Sequence, residues 1–259
     1  MKKLLFLLVV MCLAPSSLLA DEVDNGLPSG VSATIKEGAR MAIKQGAVSQ
    51  GVIKMTRMMI ENKYQEQQIL EVYLILMNAK QQGVPDSPIV NKFYECTQKK
   101  QKAESTIMAM ETVRSNYETA DRYAGIMTRD KAQASLLSEL IMQCINAGMG
   151  EADMKQITEL LQKKTKDMKP EEAQSLNNKA LNTVKAIARS GAAPISITDL
   201  VSNAFKRNYS EKDMETLCTA FLKQCKGKSN ATILADSYSD AISAGAKADE
   251  LAETESESR

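Results

Sequence analysis

Apolar residues recur at three- and four-residue steps along most of this chain, broken by short polar stretches carrying Gly, Asn or Pro. That spacing places one face of a helix against a core. It predicts helices near 34–45, 49–61, 66–82, 87–99, 103–115, 118–126, 129–147, 151–165, 170–189, 196–207, 211–224 and 230–245. Connections of only about two to six residues favour antiparallel neighbours. The expected fold is therefore all-α, with antiparallel helical hairpins stacked as a solenoid-like array or packed as an irregular bundle. The segment 66–82 is apolar nearly all round, through Ile69, Leu70, Val72, Tyr73, Leu74, Ile75, Leu76 and Met77, so it is expected to be covered by its neighbours.

Two stretches match at a distance of 60 residues: Leu140–Leu161 and Leu200–Phe221. Met154 pairs with Met214, Ile157 with Leu217 and Leu161 with Phe221, and the acidic pairs Glu151–Asp153 and Glu211–Asp213 coincide. The period is expected to correspond to about two helix pairs of a solenoid. The corners share a grammar. In Tyr209-Ser210-Glu211-Lys212-Asp213-Met214 the serine can cap the helix, Asp213 can reach back to it, and Tyr209 can close over Met214 as a hydrophobic staple. Ser196 with Asp199 repeats this, Gly150 with Asp153 does so with glycine at the cap, and Ser49 and Thr128 are further expected caps.

The ends differ from the middle. Residues 1–20 read as a secretory signal: Lys2 and Lys3, a ten-residue apolar run Leu4–Leu13 too short to span a bilayer, then small residues before a cleavage site after Ala20. An irregular lead-in is expected over 21–32, an all-helical domain of repeated hairpins over 33–247, and a disordered acidic tail over 248–259. No other stretch is long and apolar enough to cross a membrane, so a periplasmic or secreted location is expected. Without Lys2 and Lys3, 31 basic residues face 32 acidic ones, which gives no electrostatic case for nucleic acid.

Candidate chemistry is sparse. Histidine is absent, which removes His-dependent triads and His-bearing zinc sites. No phosphate-binding glycine loop, Gly-x-Ser-x-Gly elbow or Cys-x-x-Cys pair is present. Four cysteines follow the leader, Cys96, Cys144, Cys218 and Cys225, an even number that in an exported chain suggests disulfides. The pairing Cys218–Cys225 requires the helix to end before Cys225, and leaves Cys96 with Cys144. Met55, Met58 and Met59 share a helix face, which suits either core filling or a thioether copper(I) site. Glu104-Ser105 resembles the Glu-Ser pair at the catalytic acid of soluble lytic transglycosylases; the Gly-Leu-Met-Gln-type segment of that family is missing. Such a resemblance implies glycan cleavage with Glu104 as acid. Basic clusters at Lys99–Lys102 and Lys163–Lys166 sit where helices end and complement the negative end of the helix dipole. The function expected from these features is that of a non-catalytic helical-repeat protein without a cofactor, an interaction or structural module for an unidentified protein or envelope component. Glu104-based glycan cleavage and a copper or small-ligand carrier are the alternatives.

Overall fold

The computed structural model describes residues 22–226 and 230–253. The expected secretory signal over 1–20 lies outside these residues. So do 254–259 of the expected tail. Among the described residues the protein is all-helical and has no strand. Twelve helices follow a short helical turn at 22–26: α1 Ala33–Lys44, α2 Ser49–Glu61, α3 Glu66–Gln81, α4 Asp86–Gln98, α5 Ala103–Met127, α6 Lys131–Asn146, α7 Glu151–Thr165, α8 Pro170–Arg189, α9 Pro194–Lys206, α10 Glu211–Cys225, α11 Ala231–Ala244 and α12 Glu250–Glu253.

The chain forms two compact units, the first ending at Glu118 and the second beginning at Thr119, so the boundary falls inside α5. One domain was expected over 33–247. In the first unit α1 packs on α2 and α3, and α4 packs on α2 and α3. In the second, α6 packs on α8, α7 on α9, α8 on α10 and α9 on α11, with lesser contacts between most successive helices. Each helix of that unit thus rests mainly on the one two places along.

Apolar spacing supplies the core. In the first unit Val52, Met55, Met59, Ile69, Val72, Tyr73, Leu76, Ile89 and Phe93 are buried together. The Tyr73 hydroxyl is satisfied there by Thr56 Oγ1 at 2.6 Å, while Thr56 donates to the Val52 carbonyl. Gly38 lets α1 approach this layer; a methyl group there would stand 2.8 Å from Tyr73 Cδ2 and 2.9 Å from Leu70 Cδ2. In the second unit Met154, Ile157, Leu161, Met214, Leu217 and Phe221 are all fully buried.

The corners explain the alternation. Eight of them carry a residue of positive φ just past the helix: Gly46, Lys63, Gly83, Lys100, Gly148, Gly191, Asn208 and Gly245. In seven the next residue donates its N–H to the carbonyl five residues back, as in Tyr64 to Met59 and Tyr209 to Ala204. This is the Schellman closure, which ends a helix and turns the chain sharply. Gly46 and Gly83, Lys63 and Lys100, and Asn208 and Gly245 each lie 37 residues apart, one hairpin length, and the Tyr209 hydroxyl bonds the Ala246 carbonyl across that same interval.

Several expectations are corrected. The 60-residue interval holds three helices, not two pairs, so Met154 on α7 and Met214 on α10 belong to differently placed helices of the alternation. The segments 103–115 and 118–126 form one helix, because Met110, Val113, Tyr117, Ala120 and Ala124 keep a three-four spacing through Ser115-Asn116. The lead-in is helical at 22–26, since Val23 and Leu27 are buried. Residues 250–253 of the expected tail form α12, where Leu251 is buried and its carbonyl accepts from Tyr238 and Gln224. Ser210 and Asp213 form the expected capping box. Gly150 occupies the expected cap of α7. Three other expected caps shift: α9 starts at Pro194 and buries Ser196 inside the helix, Asp130 rather than Thr128 caps α6, and Val48 rather than Ser49 occupies the cap of α2.

Candidate functional site

The four cysteines are free thiols. Helix α10 continues through Cys225, which puts Cys218 and Cys225 two turns apart, about 10 Å along the axis and beyond disulfide reach. That removes the condition for the expected pair. Cys96 is buried at the end of α4, and Cys144 is buried on α6, where its Sγ donates to the Leu181 carbonyl at 3.3 Å. Burial pushes the Cys144 thiol up to about 12, so it stays protonated and is a poor nucleophile. Met55 and Met59 are fully buried in the core of the first unit, with Met58 half-buried against it. They fill space there. Among the described residues no cluster of three His, Cys, Asp or Glu is placed to hold a metal ion. No helix among them is long and apolar enough to cross a membrane.

Glu104 stands exposed in the first turn of α5 and accepts a hydrogen bond from Gln68 Nε2 at 2.7 Å. Gln68 is itself fixed, because its Oε1 accepts from the Gln65 N–H in the capping box of α3. Glu104 thereby forms part of an open groove of about 470 Å³ between α3 and α5, with Glu71, Glu111, Ile107 and Met108. Arg114 neutralises Glu111 through a forked pair at 2.7 and 2.9 Å and also bonds Glu118. Those carboxylates hold the guanidinium pKa above its ordinary value. Glu71 and Glu104 have no ion pair among the described residues. Met108 is 70% exposed, and Leu74, one turn along α3 from Glu71, is 52% exposed. The expectation that 66–82 would be covered on every side fails at Leu74.

A second opening, of about 790 Å³, lies within the second unit. It occurs where two corners lack the positive-φ closure: Thr128–Asp130 between α5 and α6, and Lys166–Lys169 between α7 and α8. Buried Leu137 of α6, Thr165 of α7 and Asn177 of α8 line it, and Met168 and Pro170 add apolar surface. Gln133 donates to Gln174 at 3.2 Å along its wall. Three cations, Arg129, Lys163 and Lys166, border the opening, and no carboxylate does. Asn177 is 3% exposed, yet its Oδ1 has no hydrogen-bond partner.

Sequence reasoning missed this second opening. Lys163 and Lys166 looked like dipole-compensating helix-end charges, and nothing in the pattern singled out Asn177. No residue type in the corners at 128–130 and 166–169 signalled it, since the corner at Lys99–Lys102 also lacks Gly and Asn and still closes with a left-handed Lys100. No protein-family model matches the chain, and no curated protein or solved structure shows significant similarity to it.

Proposed function

We propose that this is an exported helical-repeat protein that works by binding: a non-catalytic interaction module of the cell envelope or extracellular space. The observation that carries this reading is the groove between α3 and α5. It sets exposed Met108 beside two carboxylates, Glu71 and Glu104, that have no internal counter-ion among the described residues, and exposed Leu74 lies one turn further along α3 from Glu71. Exposed apolar residues rimmed by one sign of charge suit a partner segment that is amphipathic and basic. Helical grooves of this kind commonly receive an apolar helix face. The signal-like residues 1–20 support export.

Glu104 serves this role better than that of a glycosidase acid. Such an acid needs an enclosing apolar pocket to keep its proton, and Glu104 faces solvent with a Gln68 donor on its carboxylate. Burial of Met55 and Met59 likewise supports packing over copper carriage.

The test is fluorescence anisotropy with a labelled amphipathic Lys/Leu helical peptide. Wild-type protein should bind with marked salt dependence, and Leu74→Glu with Met108→Glu, or Glu71→Gln with Glu104→Gln, should weaken binding at least tenfold. Affinity unchanged by both double substitutions refutes the groove as the contact surface. Failure of residues 1–20 to export a fused phosphatase refutes the location.

A further inference from the structure

We infer that the opening bounded by α6, α7 and α8 is a binding site for a small organic anion that carries an amide or hydroxyl donor and a short aliphatic group. Three independent features of the site point to that chemistry.

The first is charge. Arg129, Lys163 and Lys166 border the opening with no lining carboxylate, and none of the three has an ion pair among the described residues. Like charges brought together without compensation favour an anion between them. A carboxylate and a phosphate both fit this requirement.

The second is the Asn177 side chain. Asn177 lines the opening, and its Oδ1, buried beside it, accepts no hydrogen bond. Buried polar atoms are nearly always partnered, so one that is not marks a place where a donor from elsewhere belongs. An N–H or O–H on the ligand completes it.

The third is shape and lining. About 790 Å³ lies within the range of sites for small organic molecules, and Leu137, Met168 and Pro170 offer aliphatic contact beside the polar groups. Few polar groups set among apolar ones is the usual composition of such sites. The Gln133–Gln174 hydrogen bond ties α6 to α8 along the wall. Both corners that border it lack the positive-φ helix end found at eight other corners.

This site is separate from the α3–α5 groove. Its charge is opposite, and it lies in the other unit.

The experiment is a titration of the protein, followed by isothermal calorimetry and by backbone amide shifts. N-acetyl-leucine supplies a carboxylate, an amide N–H and an aliphatic group. Glycerol 3-phosphate supplies a phosphate with hydroxyl donors, and separates the two anion types. At least one of them should bind and shift amides of residues 125–137 and 162–177. N-acetyl-leucinamide, the uncharged analogue, should bind at least tenfold more weakly than N-acetyl-leucine. Lys163→Gln with Lys166→Gln, both on the surface, should weaken the binding probe at least tenfold while leaving the circular dichroism spectrum unchanged. Asn177→Leu should weaken N-acetyl-leucine severalfold and leave 4-methylpentanoate, which lacks the donor, unaffected. Should Asn177→Leu fail to fold, the lysine pair still decides the matter. No shift in the cavity amides with either anion at millimolar concentration overturns the inference. So does amide binding equal to acid binding, or full affinity in the lysine double variant. An anion that binds elsewhere on the chain overturns it too. None of these results bears on the peptide assay for the α3–α5 groove.

Discussion

Gly38→Ala and Gly125→Ala are the same substitution inside helices, and their effects should have opposite sign. Alanine is worth about 1 kcal/mol over glycine in a helix interior. At Gly125 on α5 nothing lies within 4 Å of the added methyl, so that gain should appear almost whole, about 0.5–1 kcal/mol. At Gly38 on α1 the methyl meets Tyr73 Cδ2 at 2.8 Å, Leu70 Cδ2 at 2.9 Å and Tyr73 Cε2 at 3.1 Å. Leu70 is half-buried and can rotate. Tyr73 cannot readily withdraw, because it is 1% exposed and its hydroxyl is held by Thr56. Overpacking of this kind costs about 1–3 kcal/mol. Set against the propensity gain, Gly38→Ala should lose about 1 kcal/mol, up to about 2. Urea denaturation followed by circular dichroism and by tyrosine fluorescence measures both variants. A stabilised Gly38→Ala protein, matching Gly125→Ala, would refute the close approach of α1 to α3.

Three more outcomes follow from particular side chains. Ser210→Ala should cost about 1 kcal/mol by removing one half of the capping box of α10, measurable in the same urea titrations; no loss would contradict that cap. Burial pushes Tyr73 from an ordinary value near 10 up to about 12, and Cys144 from near 9 up to about 12. Because both native values are raised, their stabilising effect is complete below the unfolded values and is lost as pH rises through 9–12, at up to about 1.4 kcal/mol per pH unit for each group. Tyr73→Phe should flatten that alkaline slope by one group, and an unchanged slope would contradict the burial of the hydroxyl. Finally, Ellman's reagent should label Cys218 and Cys225, both half-buried, well before Cys96 and Cys144, with all four reacting only on unfolding. Fewer than four thiols in denaturant without reductant would mean that a disulfide exists.

Most helices were legible because a three-four apolar spacing leaves few alternatives once short polar corners punctuate it. Their ends moved by only a residue or two, since caps and fraying set those ends locally. The errors came from reading local signals without their tertiary setting. Residues 116–117 were expected to separate two helices, yet Tyr117 and Ala120 stay in register with Met110 and the helix continues. Ser196 looked like a cap, yet Pro194 already starts the helix and Ser196 is buried within it. The strongest resemblance, at 60 residues, reflected similar buried faces and not equivalent positions. The hairpin interval of 37 residues was concealed because Lys63, Lys100 and Asn208 adopt a left-handed backbone usually signalled by glycine. Glu104 was found for its neighbour Ser105, but what surrounds it is Gln68, Glu71 and Met108 from residues close in space. The cationic opening was illegible because Arg129, Lys163, Lys166 and Asn177 come from separate helices and corners, each ordinary alone.

The alternation of helices in the second unit is the claim on which the cationic opening depends, and zero-length carbodiimide cross-linking tests it most directly. Lys179 Nζ on α8 lies 3.0 Å from Glu215 Oε1 on α10, so the two belong to helices two places apart. Proteolysis and mass spectrometry should recover an isopeptide between Lys179 and Glu215 from monomeric protein, and Lys179→Gln should abolish it. Recovery of Lys179 linked instead to acidic residues of α11, with no link to Glu215, would contradict the stacking order.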